Sequence, residues 1–93
     1  TIFTDKLIFF ETDLFHSKLA YTLNDNALAE MFLEEAVGFF NRDATSLTKA
    51  GTVAARAEDY ETAKKYWEEA VAKEPLLEAP RKNLEKLKAK LGE

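Results

Sequence analysis

The sequence contains no cysteine, which removes disulfide scaffolds, thiolate zinc sites and cysteine nucleophiles. Histidine occurs once, at His16, so a multi-histidine metal site is not expected. Glycine and proline are scarce, three and two residues, and no run alternates apolar and polar residues over strand length. No stretch reaches the roughly 18 apolar residues of a membrane span. Leu7-Ile8-Phe9-Phe10 is too short for a signal-peptide core, and no cationic segment precedes it. The chain does not begin with Met, so the expectation is an excised domain or a processed chain. Zero cysteine fits cytoplasm and periplasm alike; the cytoplasm is the working expectation.

What is present is enough for one small domain, residues 1–93, with a real core. Hydrophobic residues make up 46% and charged residues 32%. The net charge of −4 does not suit nucleic acid. The composition is uneven. All seven Phe lie in the first forty residues, beside two basic and seven acidic side chains. Residues 41–93 carry eleven basic and ten acidic ones. The front is apolar and acidic; the back is charged and balanced.

The chain reads as all-α, with about five helices near 4–23, 26–40, 45–57, 60–73 and 80–91. Thr4 or Asp5, Asp25, Asp43 and Asp59 are natural N-caps, because a short acceptor satisfies free N–H groups of the first turn. Pro80 suits a first turn and Gly92 a helix end. Shifting the chain by 34 residues lays 10–43 on 44–77 with seven identities. Glu34-Glu35-Ala36-Val37 falls on Glu68-Glu69-Ala70-Val71, Ala20 on Ala54, Asp25 on Asp59 and Ala29 on Ala63. Phe32-Leu33 falls on Tyr66-Trp67, keeping the bulk. Two helices per 34 residues cannot bury their apolar face alone, so such units must stack.

In the second unit Leu47, Ala50-Gly51, Ala54, Tyr60, Ala63, Trp67, Ala70 and Pro75 stand at the spacings of the tetratricopeptide repeat family, which the sequence resembles. Glu58-Asp59-Tyr60 looks like the family's Gly-Asp-Tyr turn with Glu in place of Gly. Residues 10–43 form a degenerate repeat. Ser17, Ala20, Asp25, Ala29, Leu33 and Ala36 fit, whereas Asp13 and His16 stand where the family has large apolar residues and Asn26 replaces a Tyr. Residues 78–91, with Leu84, Leu87 and Leu91 on one stripe, resemble the family's capping helix. The resemblance implies antiparallel helix pairs stacked as a short right-handed α-solenoid, with Gly51 beside Ala63 and Trp67 filling the space towards the cap.

Catalytic chemistry finds little support. Ser17 and His16 are adjacent on a helix and do not face each other. The recurring Glu34-Glu35 and Glu68-Glu69 pairs read as a solvated helix face rather than an acid–base dyad or a metal site. No glycine-rich phosphate loop is present. The chain is therefore read as non-enzymatic, with no cofactor.

The resemblance instead implies a protein–protein interaction scaffold that holds a peptide in a concave groove. Carried over, the groove would draw on Phe15, Lys18, Tyr21, Lys49, Thr52, Arg56, Lys82, Asn83 and Lys86, flanked by Glu11, Leu14, Thr22, Thr45, Thr48 and Lys90. Its lysines and arginine would attract an acidic peptide, and the plain alternative is that they are ordinary solvated helix residues. Lys82 and Asn83 resemble part of the carboxylate clamp of chaperone-binding members. Leu14, Lys18 and Lys49 depart from the rest of it, so chaperone-tail binding is not expected.

A second reading is an assembly module or a piece of a longer solenoid, contacting its neighbour through Phe3, Phe9, Phe10, Phe39 and Phe40. A helix with one buried stripe cannot bury both members of an adjacent Phe pair. Three explanations stand open: a preceding helical neighbour, a symmetric homodimer through the first helices, or a first helix that wraps back over its own phenylalanines.

Overall fold

The computed structural model describes residues 1–92. Five α-helices follow in order: α1 (Ile2–Thr22), α2 (Asn26–Gly38), α3 (Ala44–Arg56), α4 (Tyr60–Lys73) and α5 (Glu78–Leu91). There is no strand among the described residues. The helix starts follow the expected chemistry. Asp25, Asp43 and Asp59 each accept a backbone N–H of the first turn with their side chain. Gly92 ends α5 in the left-handed conformation at φ 78°. Pro80 stands in the first turn of α5. Three boundaries differ from expectation by two residues. Helix α5 begins at Glu78 rather than at Pro80. Helix α1 begins earlier and is capped by Thr1, not by Thr4 or Asp5. Helix α2 stops at Gly38, so Phe39 and Phe40 lie beyond it.

Helices pair in sequence order. Helix α1 packs on α2, α3 on α4, and α5 on α4, while α3 also touches α1 and α2. The result is a slab with extents of 42 × 33 × 13 Å. The two hairpin turns repeat one device. Asn24 and Glu58 both adopt left-handed backbone, at φ 61° and 65°, just before the Asp caps. Asn tolerates that region; Glu does so at a cost.

Small residues set the helix separations. Ala29, Ala36, Ala63 and Ala70 are fully buried. A Cβ on Gly51 would clash with the Trp67 indole, so the ring lies directly on the glycine. The indole Nε1 donates to the Thr48 carbonyl at 3.0 Å, which fixes the ring's orientation. In the first hairpin the same position is Ser17, whose hydroxyl donates to the Ala29 carbonyl at 2.9 Å.

A polar lock joins the hairpins. Arg42, in the α2–α3 loop, donates from Nε and Nη2 to the two carboxylate oxygens of Glu69, at 2.8 and 2.7 Å. Its Nη1 donates to Glu34 at 2.8 Å. The Tyr66 hydroxyl donates to the other Glu34 oxygen at 2.6 Å, and Tyr21 to Asp59 at 2.7 Å. Lys73 donates to the Arg42 carbonyl. Burial pushes Glu34 up, but the hydrogen bonds from Tyr66 and Arg42 outweigh it and hold the carboxyl below its usual range. Arg42 does the same to Glu69 against a smaller cost of burial. One Glu of each recurring pair therefore anchors a loop; Glu35 and Glu68 remain exposed.

Candidate functional site

Helices α1, α3 and α5 present one side each to a shared depression, because each hairpin sends its second helix to the opposite side. Two hollows adjoin there and share Arg56. One, of about 360 Å³, lies between α1 and α3 and is lined by Lys18, Tyr21, Thr22, Val53, Arg56 and Ala57. The other, of about 290 Å³, lies between α3 and α5. Its floor is Thr52, Ala55, Trp67 and Leu87, and its rim is Arg56, Tyr60, Asn83, Lys86 and Lys90.

The floor is apolar and the rim cationic. Lys18, Arg56 and Lys86 have no ion-pair partner among the described residues. The Lys90 ammonium lies 4.9 Å from the centroid of the Tyr60 ring. The hydrogen bond with Tyr60 favours the protonated amine, raising its pKa. Burial and the Asp59 hydrogen bond raise the Tyr21 pKa, so this phenol stays neutral and locks the groove wall.

The structure gathers six of the nine expected groove residues: Lys18, Tyr21, Thr52, Arg56, Asn83 and Lys86. Three lie elsewhere. Lys49 stands over the Phe10 ring at 5.7 Å and reaches Glu11 at 4.0 Å, in a separate hollow with Phe3 and Phe40. Lys82 pairs with Glu78 along α5 at 3.2 Å. Phe15 is exposed beside His16. Sequence reasoning missed Tyr60 and Trp67 as groove residues because it assigned them only to packing. It gave only Asp43 of the α2–α3 loop a role, as an N-cap, and so missed the Arg42 lock.

The phenylalanines divide by depth. Phe10 is 2% exposed and belongs to the core, so it offers no assembly surface. Phe39 and Phe40 are half-buried against that core. Phe9 stacks on Phe39 at 5.7 Å, and Phe40 meets the edges of Phe3 and Phe10 at 5.9 and 5.6 Å. Phe3 and Phe9 remain more than half exposed. Wrapping back thus covers part of the set.

Asp13 occupies the repeat position of Leu47 and is buried, with Oδ2 lacking any hydrogen-bond partner. Burial first, then the Glu35 hydrogen bond and charge, push its carboxyl up to about 6, against a weaker pull from His16. His16 sits between the rings of Phe15 and Phe32, at 6.2 and 5.3 Å. No group of three His, Cys, Asp or Glu among the described residues could hold a metal ion, and no helix is long and apolar enough to cross a membrane. Comparison with family models, with curated proteins and with solved structures finds no match to the chain.

Proposed function

We propose that the chain is a non-enzymatic, tetratricopeptide-repeat-like scaffold that binds an acidic peptide of a partner protein in the α1/α3/α5 groove. The observation that carries this reading is Arg56. It stands between the two hollows, with Lys18 on one side and Lys86 on the other, and none of the three has an ion-pair partner among the described residues. These cations on one face of a chain of net charge −4 form a local field that attracts carboxylates. The floor of Val53, Trp67 and Leu87 adds apolar contact for alternate side chains of an extended peptide. The plain alternative, solvated helix lysines, does not require the cations to converge on one depression.

The test is fluorescence anisotropy with a pool of labelled peptides rich in Asp and Glu and bearing Leu or Phe. Binding that falls with added salt, and falls at least tenfold in Arg56→Glu, supports the groove. Lys82→Glu, on the exposed side of α5, leaves the affinity unchanged. Absence of binding by the wild-type chain, or equal binding by Arg56→Glu, rejects it.

A second reading, assembly through the N-terminal helices, is favoured by a different observation. Ile8, Phe15, Leu19, Leu23 and Met31 are all at least 46% exposed on the first hairpin. An apolar surface of that extent marks an interface.

A further inference from the structure

Helix α1 is apolar on two opposite sides. One side places Phe10, Leu14, Ser17 and Tyr21 in the core. The other carries Ile8, Thr12, Phe15, His16 and Leu19, continued by Leu23 at the C-cap, and all six are exposed. At 3.6 residues per turn these six fall within an arc of about 100°, facing away from the core. A helix that is apolar all round is a buried helix. In the second hairpin the matching positions are Arg42, Ser46, Lys49, Ala50, Val53 and Ala57; Ser46, Ala50 and Val53 are buried, whereas Lys49 and Ala57 are exposed. The centre of the outer side of α1 thus corresponds to positions that are packed in α3, but it has no cover among the described residues.

We propose that this face is covered by a second copy of the chain, through an antiparallel contact of α1 with α1 about a two-fold axis between Phe15 and His16. The sequence along the stripe is symmetric in position. Ile8 and Leu23, Thr12 and Leu19, and Phe15 and His16 are equidistant from the midpoint between residues 15 and 16. An isologous interface opposes residue i to residue j and j to i, so it needs this arrangement. The axis then sets Ile8 against Leu23 of the other copy and Thr12 against its Leu19. None of the six carries a carboxylate, ammonium or guanidinium, so self-pairing opposes no permanent like charges. With Leu28 and Met31 of α2 alongside, the exposed apolar surface is on the order of 600 Å². That approaches the ~800 Å² per partner of a standard stable interface.

The proposal deepens the assembly reading, which needs only some apolar partner, and it is independent of the groove. Sedimentation equilibrium of the full chain, from low micromolar to submillimolar, is expected to show a reversible monomer–dimer equilibrium. Leu19→Glu is expected to weaken the dimer at least tenfold while helix content and Tm hold, because Leu19 is 46% exposed in the single chain. The absence of native cysteine makes the register directly readable. Mixing an Ile8→Cys chain with a Leu23→Cys chain under mild oxidation is expected to give the mixed disulfide. Ile8→Cys alone is expected to cross-link poorly, since two copies of position 8 would lie about 22 Å apart. A dimer that survives Leu19→Glu, or an Ile8→Cys chain that pairs efficiently with itself, overturns the proposal. So does a monomer at every concentration. If that monomer binds an apolar dye, the assembly reading survives with another protein as the cover; if it binds none, both fall.

Discussion

The α1/α2 and α3/α4 hairpins share a 34-residue register, a left-handed residue before an Asp cap, and fully buried alanines at matched positions. They differ in what occupies the remaining contact sites. The second hairpin places Leu47, Gly51 and Trp67 where the first places Asp13, Ser17 and Leu33. It is packed on both sides, by the first hairpin and by α5; the first is packed on one. The contrast teaches that the fold tolerates polar groups in a hairpin whose outer face is uncovered, and concentrates its apolar volume where two neighbours meet.

The largest expected effect lies at the heart of the better-packed hairpin. Trp67→Ala removes a buried indole, its hydrogen bond to Thr48 and the wall that α5 rests on. It is expected to cost about 4 kcal/mol, enough to leave a domain of this size largely unfolded. A chemical denaturation midpoint close to wild type would contradict the register that places Trp67 on Gly51.

The next effect has the opposite sign and tests the weaker hairpin. An Asp13 carboxyl raised to about 6 from 3.8 is stabilised in its protonated form by folding, so its ionised form at pH 7 lowers stability. The loss is relieved as pH falls from about 6 towards 3.8. Asp13→Leu, which copies Leu47, is expected to raise stability by about 2 kcal/mol at pH 7 and to abolish that rise on mild acidification. Thermal unfolding between pH 7 and 5 measures both; an unchanged pH profile in the variant would be inconsistent with a buried carboxyl whose protonated form is favoured by folding.

The smallest effect concerns the link between the hairpins. Arg42→Ala is expected to cost about 1 kcal/mol, a modest figure because the three side chains are partly solvated. Glu34 and Glu69 have lowered folded pKa values, so the lock stabilises above their ordinary value of 4.5 and fades as pH falls below it. Wild-type stability should drop in that acid range more steeply than that of the variant. Equal slopes by circular dichroism would remove Arg42 from the account.

Much of the fold was legible because it is written in local chemistry. Asp25, Asp43 and Asp59 cap their helices by contacts three residues away, and alanines spaced by one period mark helix contacts. The parts that were not legible depend on the third dimension. Phe15 and Lys18 are three residues apart, yet one faces outward and the other lines the groove. Lys49 looked like a groove cation until its distances to Phe10 and Glu11 were fixed. Arg42 had no signature at all, since a bidentate pair across 27 residues leaves no periodic trace. The six-residue groove cluster was therefore readable in composition but not in membership.

The attachment of α5 has one further consequence. This helix packs chiefly on α4, and it supplies Asn83, Lys86 and Lys90 to the groove. In a stack of helices, an element held by one neighbour opens at a lower free energy than one held by two. Among the described residues α5 has only α4 as its main neighbour, whereas α3 is packed by α4, α1 and α2, so the groove's third wall opens more readily than its centre. Any ligand that bridges Arg56 and Lys86 binds only the docked state, so its affinity includes the free energy of holding the last helix closed. If the groove binds a peptide as proposed, recognition and the opening of α5 are a single linked equilibrium, in which occupancy of the groove is reported by the exchange rate of amides in α5.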